Sequence, residues 1–157
     1  MASRREMIQL SGDEIQDFFD TEKTLIIVSN GKDGYPHVMP MWFYRDEGGC
    51  LYVTTFSKSQ KVLNWRRDPK ASLLLESGVE YSKLKSVLIY ATAEIIDDVE
   101  VVKDTLVNIN AKGRELSVDE RAKLKEAVAG NAAKRVVLKF TPERYVTWDH
   151  AKLGGRY

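Results

Sequence analysis

The chain has 157 residues, of which 43% are hydrophobic and 30% charged, an ordinary globular balance, and its formal net charge is +1. That charge offers no basic excess to a nucleic acid, the single cysteine forms no disulfide within the chain, and no apolar run reaches the roughly 18 residues of a membrane span. We therefore expect residues 1–157 to form a single domain in the cytoplasm, without a nucleic-acid or membrane partner.

The first third of the chain predicts one helix and three strands. Ser11 followed by acidic residues is typical of a helix N-terminus, and apolar residues at helical spacing carry the helix to about Asp20. Apolar and β-branched runs predict strands at residues 24–29, 36–45 and 50–55. Because short turns rich in Asn, Asp and Gly join them, these strands are expected to form an antiparallel meander.

Helical segments are predicted between the later strands. A short helix is expected across residues 57–68, and a longer helical pattern runs from Asp98 until Gly113 breaks it. A capping box beginning at Ser117 opens another helix that ends near Gly130.

The remaining strands decide the predicted fold class. They are expected at residues 71–76, 87–96 and 135–140. Pro142 is expected to turn the chain after the last of them. About six strands result, and helices do not alternate strictly with them, which disfavours a parallel sheet. We expect a mainly β fold with inserted helices, built as a small antiparallel barrel.

Side chains that carry chemistry on their own are few. Two histidines, His37 and His150, and one cysteine are too few ligands for a zinc site of the usual kind. The chain also has no glycine-rich phosphate loop and no nucleophile elbow. We therefore assign no metal site and no catalytic side chain, and expect the chemistry to come from a cofactor.

The segment from Thr54 to Lys61 combines hydroxyl groups and lysines where a strand gives way to a helix. Hydroxyls, ammonium groups and the N–H groups of a helix N-terminus together favour a phosphate or another anion. Arg66 and Arg67, further along the same helix, would add positive charge. The alternative is a solvated helix whose lysines lie on the surface.

The segment from His37 to Tyr44 contains Pro40 within a predicted strand. Because proline donates no ladder hydrogen bond, the strand is expected to be bulged, bent or at a sheet edge there. Such a place leaves backbone groups free for a planar heterocycle, beside the soft, flat surfaces of methionine and tryptophan. The alternative is a core strand, which is the favoured interpretation for Val38, Trp42 and Tyr44 taken one at a time.

The C-terminal stretch from Trp148 to Tyr157 is rich in aromatic and charged residues. This composition predicts docking onto a ligand or a neighbouring subunit. A frayed end without a function is the alternative.

These segments, in this order, resemble the pyridoxamine 5′-phosphate oxidase-like superfamily of flavin and deazaflavin oxidoreductases. Residues 29–37 are Ser-Asn-Gly-Lys-Asp-Gly-Tyr-Pro-His, and residues 54–61 are Thr-Thr-Phe-Ser-Lys-Ser-Gln-Lys. The resemblance covers nearly the whole chain, with order and spacing carrying it rather than any one motif. Its parts are residues 25–43, 51–69, 76–81, 91–96 and 148–157.

The resemblance implies a six-stranded antiparallel split β-barrel that forms a homodimer, with two cofactor sites at the subunit interface. It places the cofactor phosphate at positions that correspond to Thr54, Thr55, Lys58, Ser59 and Lys61. It places the ring system along positions that correspond to Val38, Met39, Pro40, Met41 and Trp42. The candidate for closing the pocket from the partner subunit is Trp148.

The function implied by the resemblance is that of an oxidoreductase that transfers a hydride between bound FMN, or a deazaflavin coenzyme, and a small molecule. The C-terminal Arg-Leu-His-type motif of pyridoxamine phosphate oxidases is not matched in the tail, so vitamin B6 synthesis is not expected. A non-catalytic flavin or haem-type carrier is the alternative, with His37 as the candidate haem ligand. Nucleic-acid binding would require one exposed stripe of Lys58, Lys61, Arg66 and Arg67.

Overall fold

The computed structural model describes residues 2–155, in which helices and strands follow the predicted order. The strands are β1 Thr24–Asn30, β2 Pro36–Trp42, β3 Tyr44–Arg45, β4 Leu51–Phe56, β5 Lys70–Ser77, β6 Lys85–Ile96 and β7 Arg135–Asp149. The α-helices are α1 Arg4–Met7, α2 Gly12–Thr21, α3 Gln60–Arg67, α4 Val99–Asn110, α5 Val118–Ala127 and α6 Ala129–Ala132. Short 3-10 helices cover Tyr81–Lys83 and His150–Leu153.

Local capping sets where the predicted helices begin. Ser11 caps α2 and Ser117 caps α5, each in a capping box in which serine and a glutamate three residues on exchange hydrogen bonds with each other's backbone N–H. Asp98 caps α4 by accepting from two backbone N–H groups. The helix predicted to reach Gly130 is divided into α5 and α6. No helix formed by residues 2–155 is long and apolar enough to span a membrane.

The strands join one antiparallel sheet in the order β2-β1-β5-β6-β7-β4-β3. Its two outermost strands, β2 and β3, are consecutive in the chain and separated only by Phe43. Segment 36–45 therefore pairs with β1 at one edge and with β4 at the other, so the sheet is curled until its edges approach each other at Phe43. Counted as one strand, this segment gives the six strands that were expected.

The predicted meander is only partly formed, because β3, the last two residues of the predicted strand 36–45, pairs with β4 whereas β2 does not. β4 also pairs with the first part of β7, and Phe56 lies opposite Arg135. The physical reason is Phe43, which is 1% exposed and packs edge-on against Phe19 of α2, with 6.2 Å between the ring centroids. Because this side chain is buried, pairing with β1 ends just before Phe43 and pairing with β4 begins just after it.

The core lies inside the curl of the sheet, where each buried leucine, isoleucine or phenylalanine contributes roughly 1.5–3 kcal/mol. Alternate residues of β1, β5 and β6 point into it and are almost fully buried: Leu25, Ile27, Leu73, Leu75, Val87 and Ile89. Phe18 of α2 and Trp65 of α3 join the same cluster. α4 covers the opposite face of β7 through Val102, Leu106 and Val137.

β7 is longer than predicted. The strand continues past Phe140, paired with β6, so the predicted turn at Pro142 is wrong. Pro142 and Arg144 lie opposite adjacent residues of β6, which makes Glu143 the extra residue of a β-bulge. Proline is tolerated because beyond Phe140 the strand pairs with β6 alone, so one side of it has no ladder bond to lose.

Pro40 lies at a sheet edge, which is one of the three outcomes expected for it. β2 has a single neighbour, β1, and its register runs without interruption from Trp42 opposite Thr24 to Pro36 opposite Asn30. The strand is therefore not bulged at Pro40.

Candidate functional site

Hydroxyl groups cluster where β4 ends and α3 begins. Thr54 and Thr55 are buried at the end of β4, and Thr55 Oγ1 lies 3.4 Å from Ser59 Oγ. Ser59 occupies the N-cap position of α3, yet its side chain makes no capping hydrogen bond. Backbone N–H groups in the first turn of a helix have no partner within that helix. The hydroxyls and these N–H groups therefore offer several donors to an anion.

Two cations lie beside these hydroxyls. Lys61 is only 7% exposed, and none of the ion pairs among residues 2–155 includes it. Burial first, and the charge of Arg135 second, lower the pKa of Lys61. Nη1 of Arg135 lies 3.5 Å from Thr54 Oγ1. Neighbouring cations without a carboxylate indicate a site for an anion, and we call these five residues the anion cluster: Thr54, Thr55, Ser59, Lys61 and Arg135.

Sheet pairing brings Arg135 into the anion cluster. Arg135 lies opposite Phe56, and its guanidinium carbon lies 4.4 Å from the centroid of the Phe56 ring. Its Nε donates to Asn131 Oδ1 at 2.9 Å. Sequence reasoning missed Arg135, because it is far from Lys61 along the chain and only the pairing of β4 with β7 joins them.

The other basic residues near α3 are exposed. Lys58 lies in the loop ahead of the helix, Arg66 lies on its outer side, and Arg67 donates to the backbone oxygen of Asn30. Because Lys61 is buried, these residues do not form with it the single exposed stripe that nucleic-acid binding would require.

The predicted ring-contact residues divide between the two faces of β2. Met39 and Met41 are partly buried against the core. Val38, Pro40 and Trp42 face outward, and Val38 and Trp42 are 54% and 57% exposed. Their interpretation as core residues is therefore wrong, because alternation along the strand gives them the outer face.

An apolar row crosses that outer face. Strand register aligns one residue from each of five adjacent strands, and we call them the outward row: Pro40, Ile26, Leu74, Leu88 and Val146. They point away from the core, since the residues on either side of them in β1 and β5 point into it.

A concavity of about 750 Å³ lies beside the outward row. Its lining includes Val28, Ser72, Tyr90 and Arg144, which register aligns across the same face. The Arg144 guanidinium carbon lies 4.3 Å from the centroid of the Tyr90 ring. Cofactor and small-molecule sites usually measure roughly 300–1,000 Å³, so the outer face offers a place large enough for a planar ring system.

His37 borders a second concavity, of about 460 Å³, together with Gln60 and Asn64 of α3. Its Nδ1 is buried and has no hydrogen-bond partner among residues 2–155. Such an unpaired atom costs about 1–3 kcal/mol unless a ligand or water meets it. This concavity therefore borders α3, the helix that also carries Lys61. Sequence reasoning had considered His37 only as a haem ligand.

Trp148 lies at the far end of β7 from Arg135. At the usual rise per residue the strand path between them is roughly 40 Å. Trp148 borders a concavity of about 310 Å³ with Val146 among others. Within one chain, therefore, Trp148 and the anion cluster are not brought together. Arg156 and Tyr157, the end of the predicted docking tail, lie outside the described residues.

A curled antiparallel sheet, with one segment at both of its edges and helices inserted between strands, defines the class of split β-barrel proteins. A family model described as pyridoxamine 5′-phosphate oxidase matches residues 11–149. The chain belongs to this family, which confirms the resemblance found in the sequence. A search of the curated proteins finds no match.

Solved structures of three proteins illustrate the likeness. The conserved hypothetical protein Rv2991 from Mycobacterium tuberculosis is 33% identical, with a TM-score of 0.86, and the match covers 99% of this chain and 95% of that one. An F420 reductase is 18% identical, with a TM-score of 0.61 and coverage of 83% and 94%. The haem storage protein HutZ from Vibrio cholerae is 17% identical, with a TM-score of 0.58 and coverage of 85% and 90%. The last two show the fold alone.

Proposed function

We propose that this protein holds FMN by its phosphate at the anion cluster and transfers a hydride between the flavin and a small molecule. The observation that carries the proposal is the pair Lys61 and Arg135, neighbouring cations that join none of the ion pairs among residues 2–155, with Arg135 Nη1 3.5 Å from the Thr54 hydroxyl. A phosphate neutralises both cations and accepts hydrogen bonds from the hydroxyls and from the first N–H groups of α3.

Other residues of the chain fit the same cofactor. His37 Nδ1 would meet a polar group of the cofactor, which removes the penalty of its unpaired burial. The outward side chains of Val38, Pro40 and Trp42 give the ring a flat apolar surface. FMN supplies the hydride chemistry when bound, and the chain binds it, orients it and excludes water, so no side chain need act as a nucleophile.

A second copy of the chain belongs to this proposal. The outward row, together with exposed Val38 and Trp42, leaves an apolar face that one chain does not cover. Trp148 is too far along β7 to reach the anion cluster of its own chain, so the partner subunit's copy is the one that would close the pocket. We propose a homodimer with the cofactor at its interface.

The absorption spectrum of the purified protein tests the cofactor. Flavin peaks in the spectrum support the proposal. A deazaflavin band would instead identify the cofactor as a deazaflavin coenzyme such as F420, the alternative that the likeness to an F420 reductase suggests. A Soret band, or no uptake of any of these cofactors, contradicts it. Reoxidation of the reduced cofactor by candidate acceptors then separates an oxidoreductase from a carrier.

Removal of the Lys61 charge tests the phosphate site. Lys61→Gln is expected to weaken FMN binding about 10- to 100-fold, the loss of one charge-assisted hydrogen bond, and to leave binding of riboflavin, which has no phosphate, unchanged. Exposed Lys58→Gln is the matched control and is expected to bind FMN nearly as the wild type does. Equal FMN affinity in Lys61→Gln and wild type, measured by fluorescence titration, would show that the phosphate lies elsewhere.

A further inference from the structure

A fourth concavity lies at the other end of β4 from the anion cluster. Its volume is about 690 Å³. Arg45, in its lining, pairs with the first residue of β4, whereas Arg135 pairs with the last. Its walls come from α2, from β3 and the turn after it, from the end of α4 and the loop that follows, and from the first half of α5. It shares no residue with the anion cluster.

Positive side chains dominate this concavity. Its four cations are Arg45, Lys112, Arg114 and Arg121, and its three carboxylates are Asp20, Asp46 and Glu47. Asp46 is already occupied, since it accepts from Tyr52 Oη and from the Cys50 backbone N–H, both at 2.8 Å. None of the ion pairs formed among residues 2–155 includes any of the four cations.

Arg45 has an unmet donor here. One of its terminal nitrogens donates to the Gln16 side chain, and its guanidinium carbon lies 5.2 Å from the centroid of the buried Phe19 ring. Its Nε, by contrast, is buried without a hydrogen-bond partner among the described residues. A buried N–H of a charged group without an acceptor is rare in folded proteins, and it favours entry of a ligand that carries one.

Lys112, in the loop after α4, lies in a partly apolar part of the same concavity. Its Nζ lies 3.5 Å from the centroid of the Phe43 ring and donates to the backbone oxygen of Glu22. Burial lowers the pKa of Lys112 to about 8, against a smaller opposing effect of the Asp20 and Glu22 carboxylates. A charged lysine that burial disfavours gains from an anion placed beside it.

We propose that this concavity binds a small organic carboxylate whose apolar or aromatic body lies against Tyr44. The guanidinium groups of Arg45 and Arg121 suit the planar carboxylate, and Lys112 adds a point charge. The half-buried Tyr44 ring stacks on Tyr52 with 4.8 Å between centroids, which fixes the flat side of the site.

Benzoate and benzamide are the probes, since they match in size and differ in charge. Added to the ¹⁵N-labelled full-length protein, benzoate is expected to shift the amide resonances of residues 44–47 and 111–114, and benzamide to shift them at least tenfold less at equal concentration. If the two probes bind equally, if neither binds, or if the benzoate shifts map to the anion cluster, the proposal is wrong. Loss of FMN binding leaves this result unaffected, so the two proposals fail separately.

Variants on two walls sharpen this test. Arg121→Gln on α5 and Lys112→Gln in the loop after α4 are each expected to raise the Kd for benzoate about fivefold, an effect of about 1 kcal/mol. Lys123→Gln, an exposed change on α5 outside the concavity, is the matched control and is expected to leave the Kd unchanged. An unchanged Kd in both Arg121→Gln and Lys112→Gln overturns the assignment, and a folded amide spectrum of each variant excludes unfolding as the cause.

Discussion

Lys61 and Lys112 are partly or largely buried lysines at the two ends of β4, and burial is the main cause of the lowered pKa of each. Neither takes part in an ion pair among the described residues. Burying a lysine without an ion pair lowers the stability of the protein at neutral pH, and an anionic ligand restores it.

Lys112 is expected to change how the free energy of unfolding depends on pH. Its pKa is about 8 in the folded chain and near 10.5 when unfolded, so between these values the unfolded chain binds more protons and the free energy of unfolding rises with pH. In Lys112→Met this rise is absent. Urea unfolding of both proteins from pH 7 to 10 measures it. The free energy of unfolding of the variant, relative to that of the wild type, should fall steadily above pH 8. Parallel curves would contradict the lowered pKa.

At the scale of single residues, the sequence could group only those candidate residues that lie close together along the chain. Thr54, Thr55, Ser59 and Lys61 meet because one tight connection carries them. Arg135 could not be found in this way, since the pairing of β4 with β7 brings it in.

Among the elements, α5 is the longer of two α-helices, with α1, that have no fully buried residue. Polar contacts dock it on α4: Nζ of Lys125 lies 3.1 Å from Glu100 Oε2 and 2.9 Å from Asp104 Oδ1, and Arg121 donates to Asn108 at 3.0 Å. Without apolar burial, a helix held by exposed charges opens locally far more often than the barrel unfolds.

Lys125→Ala is therefore expected to speed hydrogen–deuterium exchange across residues 118–127 and to leave the midpoint of thermal unfolding nearly unchanged. Lys123→Ala, a lysine of the same helix that forms none of these ion pairs, serves as the control and should exchange as the wild type does. Exchange as slow in Lys125→Ala as in the wild type would mean that the ion pairs do not hold α5.

Elements were predictable where their signals are local. Ser11, Asp98 and Ser117 predict where the helices that they cap begin. The strand that runs through Pro142 was not predictable, because proline is tolerated only where one side of the strand is unpaired, and that depends on where β4 begins.

At the scale of the whole molecule, the proposed dimer depends on the outward face of the sheet. Trp42→Glu places a charge on that face and is expected to convert the proposed dimer into monomers, as seen by light scattering after size-exclusion chromatography. Val118→Glu changes an exposed valine at the start of α5 and is expected to leave the dimer intact. A monomeric wild type, or a dimeric Trp42→Glu, would remove the subunit interface from the proposed function.

One backbone side of β2 is unpaired, and half of the N–H donors on that side are missing. The pairing with β1 continues unbroken through Pro40, so residues 36, 38, 40 and 42 direct their nitrogens outward, and Pro36 and Pro40 carry no hydrogen there. An extended chain arriving from another molecule finds only alternate partners along this strand, which hinders fibril growth and strand exchange. The protein can thus display Val38 and Trp42 beside an open strand without seeding an aggregate.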